Sequence, residues 1–191
     1  MRIAQVMFAA VMVVGLCVSA FADKPTSMGD RIVAFCKHHK GKRVGSGECS
    51  ALAEAAMQSA GAQPHGWGDC SRGEDERVDD YNWGKLTYSL ERDGTNFKST
   101  GQFKSVLPGD IIQYRDVELA GQSDDGRYKA TAKHHTAIVS GVEGDGMLRI
   151  YHQNFNGRRV VMADRLRLGD LQQGRLSIYH PVPRARRQSE E

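Results

Sequence analysis

The chain has 191 residues, a formal net charge of +3 at pH 7 and 26% charged residues. This length suffices for one hydrophobic core of ordinary size and is too short for two comfortable domains. Because lysines and arginines are interspersed with acidic residues rather than gathered in a stripe, the composition argues against a nucleic-acid partner.

Residues 1–22 are predicted to be a secretory signal peptide, because a cation at Arg2 precedes an apolar centre and the small-x-small ending Ala20–Ala22. The apolar run is too short to favour a retained span, so we expect no stable membrane insertion after cleavage. Cys17 suggests a lipoprotein, but Leu16 stands before it where a small residue is required, so we do not expect lipidation.

The mature protein is therefore expected to be secreted or periplasmic, and monomeric. We predict a single domain over residues 23–182. The segment 183–191 contains the basic cluster PRARR followed by glutamates, and it is predicted to be a disordered, solvated tail.

Two helices are predicted at the start of the domain. Ser27 and Asp30 form a capping-box pattern that begins a first helix, which ends near Gly41. The segment GSGECSALAEAAMQ then places Cys49 in the first turn of a second helix, which ends near Gly61. Unsatisfied N–H groups and the positive end of the helix dipole favour a thiolate there, as a nucleophile requires. The alternative is a small buried hydrophobic residue or half of a disulfide.

Three cysteines remain after signal cleavage: Cys36, Cys49 and Cys70. In an oxidising compartment an odd count leaves one unpaired, and if Cys36 pairs with Cys70 the free thiol is Cys49. A competing interpretation makes Cys36, His38 and His39 half of a zinc site with Cys49 or Cys70. No second ligand pair stands at zinc-finger spacing, so we expect no metal and place both histidines on the surface.

From Gly61 to about Gly101 the sequence has no sustained period and is predicted to be irregular. Its aromatic residues Trp67, Tyr81 and Trp83 either line a substrate groove or anchor the segment to the core. Beyond it, six segments are typical of strands: DIIQYRDV, GRYKATAKH, HTAIVSGV, MLRIYHQN, RRVVMA and RLSIYHPV. Helices followed by an antiparallel sheet predict an α+β domain.

A cysteine nucleophile needs a base within hydrogen-bond reach and a third group that orients the base. His134 and His135 begin one predicted strand, and His152 to Asn154 return on its neighbour after the turn EGDG. His152 and Asn154 are two residues apart and face the same side, whereas Gln153 faces the other way and is the weaker candidate.

These pieces resemble the CHAP domain, the cysteine- and histidine-dependent amidohydrolase/peptidase family, which is related to the NlpC/P60 group and the papain-like fold. The matching segments are GECSALA, LPGDIIQYRD, HTAIVSGVEGDG and IYHQNFNG, in this order over most of the mature chain. The resemblance implies helices packed on a strongly bent antiparallel sheet. It also implies Cys49 as nucleophile, His135 as base and Asn154 as the family's asparagine, with no cofactor.

His152 departs from the CHAP pattern, which has glutamate there, and is closer to the NlpC/P60 group, in which a histidine is common. The resemblance implies a secreted thiol hydrolase that cleaves an amide bond of peptidoglycan or of a peptide. Because a neutral imidazole stabilises an imidazolium less than a carboxylate does, a binding or structural module with a decayed site stays an alternative. A third alternative is an acyl-transfer enzyme. It would form the same thioester on Cys49 as the hydrolase and differ only in the group that attacks it.

Overall fold

The computed structural model describes residues 27–63, 81–123 and 126–185. The predicted signal peptide, Trp67, Cys70 and residues 186–191 of the predicted tail lie outside these ranges. The signal peptide and the domain boundaries therefore stay predictions.

In the part of the chain that the structure describes, two helices come first, as predicted. Helix α1 spans Met28–His39 and begins at a capping box, in which the Ser27 side chain accepts from the Asp30 N–H at 3.0 Å and Asp30 accepts from the Ser27 N–H at 3.0 Å. Helix α2 spans Cys49–Ser59, so Cys49 is its first residue. Among the described residues, neither helix is long and apolar enough to cross a bilayer.

Within the described ranges, seven strands form one antiparallel sheet, in agreement with the predicted α+β class. Their bounds are β1 Lys85–Asp93, β2 Asn96–Gly101, β3 Ile111–Ser123, β4 Gly126–Val142, β5 Met147–His152, β6 Met162–Arg167 and β7 Leu171–His180. The order across the sheet is β2-β1-β7-β3-β4-β5-β6. The last strand is thus inserted in the interior of the sheet, between β1 and β3. The strong bend expected from the resemblance stays a prediction.

The prediction that the segment up to Gly101 is irregular was wrong for its second half. Strands β1 and β2 form a hairpin with Gly94 and Thr95 at its turn. All six residues of β2 are exposed, and only Leu90 of β1 is buried. Because neither strand has one fully buried face, the sequence lacks the alternation by which a strand is recognised.

The two faces of the sheet pack against different partners. Ile111 and Ile138 are fully buried in a cluster with α1 and α2, whereas Ile112 and Ala137 belong to a second core on the opposite face. Because side chains alternate along a strand, this pattern assigns each residue of β3 and β4 to one face.

The PGD segment before β3 has a structural role. Gly109 has φ +94°, and a Cβ on it would lie 2.3 Å from the Cα of Gly29 in α1. Asp110 is fully buried and accepts hydrogen bonds from the Leu107 N–H at 2.9 Å and from His180 Nδ1 at 2.7 Å. Glycine is required for this close approach, and the carboxylate holds the turn together.

Candidate active site

The loop before Cys49 is held by a buried amide. Gln153, which directly follows β5, accepts from the Val44 N–H at 3.1 Å and donates to the carbonyls of Val44 at 2.9 Å and Glu48 at 2.7 Å. Gln153 is fully buried. The sequence ranked it as the weaker candidate because it faces away from His152, and that opposite face is the one on which it reaches the start of α2.

Glu48 is the N-cap residue of α2, but its carboxylate does not cap the helix. It accepts one hydrogen bond from Asn154 Nδ2 and one from Arg159 Nη2, the latter at 2.7 Å. Asn154 is therefore turned toward the residue before Cys49 rather than toward a histidine. With φ +56° it also begins the turn after β5.

His135 and His152 form the other half of the site. His152 lies opposite Ala137, two residues beyond His135 on β4, so the two rings share a face. His135 Nε2 and His152 Nδ1 are 3.2 Å apart, and each residue is only 3% exposed. The Phe155 ring stacks on the His152 ring, with 5.1 Å between their centroids, and its centroid lies 5.2 Å from that of the His135 ring.

Burial keeps both imidazoles neutral. Burial and, to a smaller extent, the neighbouring His152 and His134 together lower the pKa of His135 to about 3. Burial also lowers the pKa of His152, and the carboxylate of Asp164 opposes this shift. Since a neutral imidazole has one ring nitrogen that accepts, His135 is in its basic form at neutral pH.

His134 lies on the opposite face from His135, on the side of the helices. Its Nε2 is 3.1 Å from Nε2 of Gln113, whose Oε1 accepts from Trp83 Nε1 at 2.9 Å and from Thr136 at 3.1 Å. Because an indole N–H only donates, it fixes the orientation of the Gln113 amide. Gln113 therefore donates to His134, and His134 Nε2 is occupied as an acceptor.

The structure brings His135 together with His152, and it brings Gln153 and Asn154 to Glu48, the residue before Cys49. Among the described residues, no hydrogen bond joins Cys49 to His134 or His135.

The groove predicted from aromatic residues needs a correction at Trp83. Its side chain is 1% exposed because its indole N–H is bonded to buried Gln113 beneath the helices. Trp83 is thus a core residue that anchors its segment, which was the alternative interpretation. Tyr81 is half-buried and lies 5.4 Å from Trp83 and 5.3 Å from His134.

Cys36 and Cys49 are free thiols in the structure, and Cys49 is half-buried. Cys36 is fully buried in α1, and burial raises its pKa to about 12. Cys70 lies outside the described residues, so the pairing of Cys36 with Cys70 stays a prediction. Within the described ranges, no group of three or more metal-binding side chains is present.

One residue beside His152 was not predicted from the sequence. Asp164 on β6 lies opposite Ile150, and its Oδ2 is 3.8 Å from His152 Nε2. The predicted strand RRVVMA ended at Ala163, one residue before it. The alternation of β6 was not recognised because most of that strand is exposed.

A comparison with protein families matches residues 20–191 to the AIM3/BBC1 cysteine proteinase-fold domain. The chain belongs to this family. This confirms the cysteine proteinase fold that the sequence predicted, whereas the narrower assignment to the CHAP domain is an expectation from motifs. The comparison with curated proteins found no match.

Two crystal structures are similar to this chain. One is of Ly7917, at 23% identity and a TM-score of 0.44, and covers 82% of this chain. The other is of Ly7917 with the hydrolyzing product of MDP, at 21% identity and a TM-score of 0.45, and covers 80%. The chain spans 63% of the length of each.

Proposed function

We propose that this domain is a thiol hydrolase that cleaves an amide bond, with Cys49 as nucleophile and His135 as base. The observation that carries the proposal is the hydrogen bond between His135 Nε2 and His152 Nδ1, within a cysteine proteinase fold whose second helix begins at Cys49. This bond engages Nε2, so Nδ1 is the nitrogen of His135 that remains for the thiol proton.

In the first half-reaction, the Cys49 thiol gives its proton to His135 Nδ1 and its sulfur bonds to the amide carbonyl carbon. Backbone N–H groups in the first turn of α2 donate to the oxyanion, since the Glu48 side chain is bonded elsewhere. The C–N bond then breaks, and the leaving amine takes the proton from His135. The product is a thioester on Cys49.

In the second half-reaction, a water molecule gives its proton to His135 and adds to the thioester carbonyl. The C–S bond breaks, the acid is released and the proton returns to the Cys49 sulfur. His135 is neutral at neutral pH, so one of its ring nitrogens has a lone pair, but burial makes it a weak base. His152 fixes the ring orientation through Nε2.

The resemblance to the CHAP domain makes peptidoglycan the first substrate class to test, either at the amide between glycan and peptide or within the stem peptide. The predicted signal peptide supports action outside the cytoplasm. An amine acceptor in place of water would make the same thioester an acyl-transfer intermediate.

A non-catalytic binding or structural module is the second candidate, and a specific observation favours it. His135 lies on the sheet face opposite the one against which α2 packs, and its side chain is almost entirely buried. A protein with histidine in place of the glutamate and with a buried histidine base can keep the fold without catalysing the reaction.

The test incubates the mature protein with purified peptidoglycan and identifies released fragments by mass spectrometry. We expect wild type to release fragments with new amine and carboxyl ends, and Cys49→Ala to release none. Ser59→Ala on the exposed end of α2 is the matched control and should retain activity. Equal release by wild type and Cys49→Ala, or no release by either on peptidoglycan and peptide amides, would favour the second candidate.

A further inference from the structure

The surroundings of His152 include a carboxylate that no motif predicts. Asp164 on β6 and His152 on β5 are diagonal neighbours on one face, because Ile150 pairs with Asp164 and His152 pairs with Met162. Asp164 Oδ2 lies 3.8 Å from His152 Nε2, and Asp164 Oδ1 accepts from the Arg165 N–H at 2.7 Å. The carboxylate is thereby held beside the ring although its side chain is 58% exposed.

His152 Nε2 is the ring nitrogen that faces this carboxylate. It is buried and makes no hydrogen bond to the part of the chain that the structure describes. Its other nitrogen, Nδ1, is engaged with His135. A distance of 3.8 Å is too long for a direct hydrogen bond, so Asp164 acts on the ring through its charge.

That charge decides which nitrogen of His152 carries the proton. A lone pair on Nε2 would point at a negative carboxylate and be repelled, whereas an Nε2–H is attracted. With the proton on Nε2, His152 Nδ1 is an acceptor. His135 must then donate through its own Nε2–H, which leaves the lone pair of His135 on Nδ1.

The opposite arrangement disables the base. If His152 held its proton on Nδ1, it would donate to His135 Nε2, and neutral His135 would carry its own proton on Nδ1. His135 would then have no lone pair for the thiol. Selection between the two tautomers of His152 therefore determines whether His135 is able to accept a proton at Nδ1.

We propose that Asp164 is a positioning residue that sets the tautomers of His152 and His135 and supplies, through an imidazole, the negative charge that a glutamate at position 152 would supply directly. The catalytic part of this inference rests on the proposed function of Cys49 and His135. The tautomeric part does not, because it concerns the two rings alone.

The first test measures ring ¹⁵N chemical shifts of the two histidines at pH 7 by NMR, with signals assigned from His152→Glu and His135→Gln. We expect both neutral rings to be protonated on Nε2 in the wild type. In Asp164→Asn, which keeps the shape and removes the charge, we expect His152 to populate the Nδ1–H form. Glu118→Gln, a surface carboxylate of β3 paired with Lys129, is the control and should leave both rings unchanged.

The second test compares Asp164→Asn in two backgrounds, with peptidoglycan turnover and the rate of Cys49 alkylation by iodoacetamide at pH 7 as readouts. In the wild type we expect Asp164→Asn to reduce both by about five- to tenfold, and Glu118→Gln to change neither. In the His152→Glu background we expect no loss, because His135 then donates directly to a carboxylate. A purely structural role for Asp164 would produce the same loss in both backgrounds.

The outcomes separate this inference from the proposed function. Wild-type rings with His152 protonated on Nδ1, or ring signals that Asp164→Asn leaves unchanged, overturn the inference. If the rings behave as expected but Cys49→Ala and wild type do not differ in turnover, the proposed hydrolase fails while the role of Asp164 in the two rings stands.

Discussion

At the scale of single residues, His152 is the position at which this chain departs from the CHAP pattern. Its Nδ1 contacts His135, whereas Asn154 is bonded to Glu48. The two candidates for the third member of the proposed site thus have different partners: His152 contacts His135, the proposed base, and Asn154 contacts Glu48, the residue before the proposed nucleophile.

We therefore predict that His152→Ala reduces turnover on peptidoglycan by on the order of 100-fold, roughly 2.7 kcal/mol in the barrier. His152→Glu should retain or raise turnover, because a carboxylate both orients the base and stabilises its charged form. Asn154→Gly should cost less, and glycine is the proper variant because Asn154 has φ +56°. Kinetics at fixed pH, with folding checked by circular dichroism, measure all three.

A loss in Asn154→Gly larger than that in His152→Ala would assign the orienting role to Asn154. It would also show that the contact between His135 and His152 is not the one used in the reaction.

At the scale of elements, the start of α2 and the end of β5 form one unit. Gln153 makes three hydrogen bonds to the loop before Cys49 from a fully buried position. The helix itself places Cys49 at its first turn, but the amide of Gln153 sets where that turn lies over the sheet.

Gln153→Leu should lower the free energy of unfolding by about 2–3 kcal/mol, because it leaves buried backbone groups of Val44 and Glu48 without their partner. Urea denaturation followed by circular dichroism measures this. Gln58→Leu, an exposed position on α2, is the matched control and is expected to change stability by less than about 0.5 kcal/mol. Equal effects of the two variants would contradict the role of Gln153 as a brace.

At the scale of the whole molecule, the two cores meet at β3 and β4, and the buried histidines lie on one side of this junction. The pKa of His135 is about 3 in the folded protein, against about 6.5 in an unfolded chain. Between these values the unfolded state binds more protons than the folded state, so stability falls as the pH is lowered. Above about pH 6.5 both states are neutral at this residue and the effect is absent.

We predict that the free energy of unfolding falls between pH 6.5 and pH 4, and that His135 contributes roughly 3 kcal/mol of this fall. The lowered pKa of His152 also makes the free energy of unfolding fall as the pH is lowered. Burial raises the pKa of Asp110, which has the opposite effect on this free energy. Denaturation of wild type and His135→Gln at a series of pH values isolates the contribution of His135. Parallel curves for the two proteins over this range would show that His135 is already protonated in the folded state, or not buried.

The sequence by itself determined the features that depend on neighbouring residues. The capping box at Ser27, the start of α2 at Cys49 and the strands with one buried face follow from local hydrogen bonds and from periodicity, so they could be predicted. The cysteine proteinase fold could also be predicted, because four segments that resemble motifs of the CHAP domain follow one another along the chain in the same order.

Only the tertiary structure decided what depends on pairing between distant segments. The hairpin of β1 and β2, the insertion of β7 between β1 and β3 and the burial of Trp83 arise from contacts that no local pattern encodes. The same holds for the two adjacent histidines of β4. Because side chains alternate along a strand, the register of β4 places His134 on the helix face, beside Gln113. It places His135 on the opposite face, beside His152.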